Sequence, residues 1–65
     1  MTPARKAALQ WFHDRGEVER FDARSPSIEM RRAMVRDGQL QWRQPGNPLW
    51  SLTDKGRRDL HKAAP

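Results

Sequence analysis

The chain has 65 residues, which is enough for one small domain and too few for a second domain with its own core. Cysteine is absent, which excludes disulfides and thiolate metal sites, and no stretch approaches the roughly 20 apolar residues that span a bilayer. Thirteen Lys and Arg residues, ten of them Arg, face 8 acidic residues, and the formal charge of +5 makes nucleic acid the leading partner class.

The first predicted element is a helix from Pro3 to about Arg15. Thr2 followed by proline is typical of an N-cap with proline at the first helical position, and Gly16 supplies the stop. Apolar residues recur on one face at helical spacing: Ala4, Ala8, Leu9 and Phe12, with Trp11 at the margin. We expect a scaffold helix that packs this face against the core.

Residues 17–24, EVERFDAR, fit one helical turn as well as an irregular strand, and we predict a short strand there. Ser25 and Pro26 then indicate a cap and a first-turn proline of a second helix, which ends at Gly38. Helical spacing divides this helix into two faces, with Met30, Ala33 and Met34 towards the core and Arg31, Arg32 and Arg36 at the flank or outward.

A β-hairpin is predicted over residues 39–53, because the sequence alternates with period two around a turn that contains Pro45, Gly46, Asn47 and Pro48. With the glycine at its centre, the hairpin aligns two pairs on one face, Trp42 with Trp50 and Leu40 with Leu52. The opposite face carries Gln41, Arg43, Leu49 and Ser51. A chain with two phenylalanines and no tyrosine needs both tryptophans as core, so we favour core packing over base stacking for them.

A last helix is predicted after Thr53, its cap, with Asp54 in the first turn and Leu60 as its apolar anchor. Two motifs, RAMVRDGQLQW and LWSLTDKGRRDL, resemble the pattern of MarR-type and related bacterial or phage winged-helix regulators. In that pattern a recognition helix ends at a glycine, a strand follows, and the wing returns into an LTxxGR signature. The resemblance covers about residues 25–60.

The resemblance implies an α+β winged helix-turn-helix in the order α-β-α-β-β-α, with residues 1–65 as a single domain. The long dimerisation helices of the family are missing, so a homodimer would have to form differently. The eight residues between Gly16 and Ser25 are also too few for a full second helix plus turn.

For function, the resemblance implies a bacterial or phage transcriptional regulator that places the helix at 27–37 in the major groove of duplex DNA. The wing at 39–53 would reach a neighbouring groove or the phosphates. The candidates for base readout are Ser27, Arg31 and Arg32, since arginine can contact guanine through two hydrogen bonds. The candidates for phosphate or minor-groove contact are Arg36, Arg43 and Asn47, with Arg57 and Arg58 as backbone support. Tight binding would need a second copy or a partner protein.

The alternative function is protein–protein interaction or phage assembly without DNA binding, because winged helices are also reused for assembly. RNA binding is a weaker option. We expect no enzymatic activity, cofactor or small-molecule substrate. The spacing of His13 and His61 does not suggest a metal site, and the serines lack a nucleophile elbow. The N-terminus has no secretory apolar region, and we expect a cytoplasmic protein.

Overall fold

The computed structural model describes residues 1–43, 46 and 48–63. These residues form three helices and two strands: α1 (Pro3–Arg15), α2 (Ile28–Arg36), β1 (Leu40–Arg43), β2 (Leu49–Leu52) and α3 (Asp54–Ala63). The two strands pair in an antiparallel hairpin. The molecule is a small α+β domain, and its α-α-β-β-α order is compatible with a winged-helix-like arrangement. Over the described residues, none of the helices combines the length and apolar character needed to cross a membrane.

Helix α1 begins and ends where the sequence predicts. The Thr2 hydroxyl accepts a hydrogen bond from the backbone N–H of Arg5 at 3.1 Å, which satisfies one of the unpaired donors of the first turn. At the other end, the N–H of Gly16 donates to the carbonyl of Phe12 at 2.9 Å. The prediction of a capped helix from Pro3 to Arg15 is therefore confirmed.

The N-cap of α2 is Ser27, and the prediction that Ser25 fills this role is wrong. The Ser27 hydroxyl accepts from the backbone N–H of Met30 at 3.1 Å. The hydroxyl of Ser25 is already engaged, because it accepts from the backbone N–H of Asp22 at 2.7 Å within a turn. Helix α2 therefore starts after this turn, at residue 28.

The strand predicted over residues 17–24 is also wrong, apart from one residue. Val18 forms an isolated bridge with Trp50, and each backbone N–H donates to the other's carbonyl at 2.8 Å. The pairing stops there because Asp22 begins a turn, in which its carboxylate accepts from the backbone N–H of Arg24 at 2.8 Å. A single bridging residue stands where the predicted order had its first strand.

The hairpin has the predicted register, in which Leu40 pairs with Leu52 and Trp42 with Trp50. Both leucines are buried, and Trp50 packs against the core while half-buried. Trp42 is 46% exposed, so its predicted core position is wrong. Its indole stacks on that of Trp50 with centroids 6.0 Å apart, on the side away from the core. Of the two rings, only that of Trp50 packs against the core.

The core brings together one face of every element. Its buried members are Ala8, Leu9, Phe12, Val18, Met34, Leu40, Leu52 and Leu60, and Trp11, Phe21, Met30 and Trp50 pack against them. The methionines of α2 face the core as predicted, Met34 fully and Met30 in part. Leu60 anchors α3, also as predicted.

The start of α3 lies against the α2–β1 junction. In the TDKG part of the second sequence motif, Thr53 and Gly56 are the residues that make the contacts there. The Thr53 hydroxyl donates to the Gly38 carbonyl at 2.5 Å and accepts from the Gly56 N–H at 3.0 Å. Gly56 packs directly on the backbone of Gln39, and a Cβ there would overlap the Gln39 carbonyl oxygen. Glycine is thus required by close backbone approach.

A polar network centred on the buried Gln39 ties three helices together. Its side-chain carbonyl accepts from Arg5 at 2.7 Å, and its amide donates to Asp59 at 2.9 Å. Arg5 also pairs with Asp37 at 2.9 Å, and Lys55 pairs with Asp59 at 2.9 Å. These hydrogen bonds join α1, the end of α2 and α3 around the start of β1.

Candidate nucleic-acid interface

The outward face of α2 carries two arginines one helical turn apart. Met34 points into the core and is fully buried. At 100° per residue, Arg32 and Arg36 each lie about 160° from it, on either side of the direction that points straight out. Both are exposed, and the side chain of Arg36 is 75% accessible. The helix therefore presents this pair to solvent.

The charges of this pair are only lightly compensated. Arg36 contacts the Asp37 carboxylate at 3.3 Å, but the same carboxylate also binds Arg5 at 2.9 Å. Hydrogen bonds from Arg5 and then Arg36 lower the pKa of Asp37, which is therefore ionised at neutral pH. Glu29, in the first turn, is the one acidic residue within α2 itself. Within the described part of the chain, Arg32 has no ion-pair partner.

Arg31 takes a different position from the outward pair. Its guanidinium lies over the ring of Phe21, 3.9 Å from the centroid, and 5.3 Å from that of Trp50. The Nε atom is buried without a hydrogen-bond partner in the described structure. Desolvation lowers the pKa of Arg31 as a result. This predicted base-reading residue packs along the aromatic edge of the core.

Ser27 and Arg43 lie on different elements, Ser27 at the start of α2 and Arg43 on the hairpin. Ser27 is exposed, and its hydroxyl oxygen caps α2. Arg43 ends β1 on the hairpin face opposite the tryptophans and shares a cleft of about 320 Å³ with Arg57. Arg57 also pairs with Asp54 at 2.9 Å. Asn47 lies outside the described residues.

Arg58 follows Arg57 on α3, and the two line one concavity. This concavity lies between α1 and α3, and His13 and His61 also line it. The six predicted arginines thus separate into three places: Arg31 against Phe21, Arg32 with Arg36 on the outer face of α2, and Arg43, Arg57 and Arg58 in a row where Arg57 lines a cavity with each of the other two. Among the described residues, no group of three or more histidines and carboxylates could hold a metal ion.

An apolar groove beside Arg32 was not anticipated from the sequence. It has a volume of about 410 Å³ and is lined by Ile28, Arg32, Val35, Trp42, Pro48 and Trp50. Ile28 is 40% exposed and Val35 36% exposed. Their spacing of seven residues, two helical turns, was the available signal, because it marks a second apolar face beside the one that the methionines use.

The geometry therefore combines an arginine pair with an adjacent apolar groove on the outer surface of α2. No protein-family model matches the sequence, and neither a curated protein nor a solved structure matches it.

Proposed function

We propose that this domain binds duplex DNA through the outward face of α2. One observation carries the proposal: Arg32 and Arg36 project from the exposed face of a capped helix, and the described residues leave Arg32 without a carboxylate partner. Guanidinium groups bind phosphates and guanine edges through paired hydrogen bonds. The net charge of +5 adds a general attraction to the polyanion.

The shape of the element favours a duplex over a single strand. An α-helix with its side chains is about 10–12 Å across, which matches the major groove of B-DNA at about 12 Å. The nine residues of α2 span about 14 Å, and the rise from Arg32 to Arg36 is about 6 Å, which is nearly two base-pair steps of about 3.4 Å. Arg43 and Arg57 would then support contacts to the sugar–phosphate backbone.

The test is a fluorescence-anisotropy titration of a labelled random-sequence duplex at several salt concentrations. The wild type should bind with a steep negative slope of log K against log salt. On a random sequence both guanidinium groups can bind phosphates, so replacing Arg32 and Arg36 together by alanine should reduce that slope by up to about 1.8, or about 0.9 for each lost phosphate contact.

Lys6→Ala with Lys62→Ala is the matched control. It removes the same charge, but from a concavity between α1 and α3 that both lysines line and that holds none of the candidate contact residues. A clearly smaller loss in the control supports binding through α2, whereas equal losses would refute that placement. If the wild type binds no duplex even at low salt, the DNA-binding proposal is wrong.

Protein binding is the second candidate function, and the apolar groove is the observation that favours it. Exposed tryptophan and arginine side chains are among the types that dominate binding energy at protein interfaces. A role in transcriptional regulation would follow from DNA binding and is part of the first proposal. The titration separates the two candidates, because a protein-binding module has no need of a salt-dependent affinity for duplexes.

A further inference from the structure

We propose that the apolar groove beside Arg32 receives the 5-methyl groups of thymine, so that the domain prefers duplexes with thymines flanking the base contacted by Arg32. This inference rests on the proposed function, since it requires α2 to lie in the major groove. It assigns Ile28 and Val35 as specificity-determining residues of that surface.

The first step is the position of the two aliphatic side chains. Ile28 and Val35 lie about 120° and 100° from Met34 in the same sense around α2, on the side that faces the hairpin. Arg32 lies between them along the helix and also lines the groove. The rise of the helix separates Ile28 from Val35 by about 10.5 Å, which corresponds to about three base-pair steps of 3.4 Å.

The second step is the chemistry of the base edges that α2 would meet in the major groove of DNA. Of the four base pairs, only those with thymine present an apolar group in the major groove, the C5-methyl. Guanine presents two acceptors that suit an arginine. An aliphatic–arginine–aliphatic row is therefore complementary to a short sequence in which thymines lie on both sides of a guanine.

The third step concerns the occupant. Duplex DNA offers apolar methyls and negative phosphates together, which matches a groove with both apolar walls and an arginine. A second copy of this chain is a poorer occupant, because each copy carries a net charge of +5 and the groove itself contains Arg32. Trp42 and Pro48 form the wall contributed by the hairpin side.

The experiment begins with selection of preferred duplexes from a random library by the wild-type protein. Each thymine of the selected duplex is then replaced by deoxyuridine, which removes only the methyl group. Anisotropy titrations compare the wild type, Ile28→Ala and Val35→Ala. Leu49→Ala is the control, because this leucine is 37% exposed but lies on the other face of the hairpin. Circular dichroism checks that each variant is folded.

We expect uracil at a contacted position to weaken wild-type binding about fourfold, the loss that corresponds to one buried methyl group. The control should show the same loss. In the variant that lacks the facing aliphatic side chain, uracil should weaken binding less than twofold. Because uracil alters duplex stiffness equally for all variants, this difference isolates the side-chain contact.

Two results would overturn the inference while leaving DNA binding intact. One is salt-dependent binding with no thymine preference in the selected pool, and the other is a uracil effect that Ile28→Ala and Val35→Ala leave unchanged. The groove would then be free for a protein partner. Absence of binding to any duplex at low salt is distinguishable from both, because it removes the proposed function together with the inference.

Discussion

Replacing Gly56 by alanine should destabilise the domain, although alanine is the better helix former. Gly56 lies in the first turn of α3 and is buried against the backbone of Gln39. A Cβ at this position would lie 3.1 Å from the Gln39 carbonyl carbon and closer than 3.0 Å to its oxygen, a distance that real Cβ contacts essentially never reach. The obstructing atoms are backbone, so no side-chain rotation can relieve the overlap.

Two opposing effects set the expected magnitude. Alanine gains about 1 kcal/mol over glycine in helix propensity. Against this, α3 must move away from the α2–β1 junction, which strains the hydrogen bonds of Thr53 to Gly38 and Gly56. Overpacking of this kind costs about 1–3 kcal/mol, and distortion of the two hydrogen bonds, one exposed and one partly buried, adds about 1 kcal/mol in total. We expect a net loss of about 2 kcal/mol in the free energy of unfolding.

The assay is thermal unfolding followed by circular dichroism, with urea unfolding as the second measurement. For a domain of this length, 2 kcal/mol corresponds to a decrease of roughly 8–16 °C in Tm. Arg58→Ala is the control, since it adds alanine at an exposed position of the same helix and should change stability by less than about 0.5 kcal/mol. An unchanged or higher Tm for Gly56→Ala would show that the close approach is not what requires glycine.

Arg31→Ala should lower the free energy of unfolding by about 1 kcal/mol, because the guanidinium loses its contact with the Phe21 ring, and urea unfolding measures this change. The same variant should weaken duplex binding in the anisotropy titration less than Arg32→Ala does; the opposite ranking would restore Arg31 as a base-reading candidate. Acid should also destabilise the domain. The pKa of Asp37 is lowered in the folded state by Arg5 and then Arg36, so the stability it contributes is present above its ordinary pKa of 3.8 and lost as pH falls through the lower folded value. Tm measured from neutral pH into this acid range should decrease, and Asp37→Asn should show a smaller decrease; equal decreases would refute the assignment.

Local chemistry made much of the fold predictable. Thr2 and Pro3 specify the start of α1 by hydrogen bonding and by a preset backbone angle. Period-two alternation specifies the register of the hairpin, because a slip by one residue would expose Leu40 and Leu52. Such signals act within a few residues and need no knowledge of the tertiary structure.

The wrong predictions concern positions where two local signals compete or where tertiary contacts determine the structure. Ser25 and Ser27 are both capping residues, and only the turn with Asp22 determines which one is free to cap α2. Alternation places Trp42 and Trp50 on one face of the hairpin, but it does not report how far the core extends along that face, and only Trp50 packs against the core.

The site was predictable in part for the same reason. Helical spacing places Arg32 and Arg36 outward, and α2 shows that arrangement. The same spacing could not reveal that Arg31 packs on Phe21, because the ring arrives from a segment ten residues earlier in the chain. Nor could it reveal the groove, whose walls come from both α2 and the hairpin.

Two arginines, Arg5 and Arg36, share the carboxylate of Asp37, and they contact it from different sides. Arg5 holds this carboxylate from the side of α1, in contact with the buried Gln39, whereas Arg36 approaches it from the solvent. If Arg36 swings away to an external anion, Asp37 keeps its inner partner, and the network around Gln39 stays closed. Arg36 can therefore reorient towards an external anion without leaving the Asp37 carboxylate unpaired.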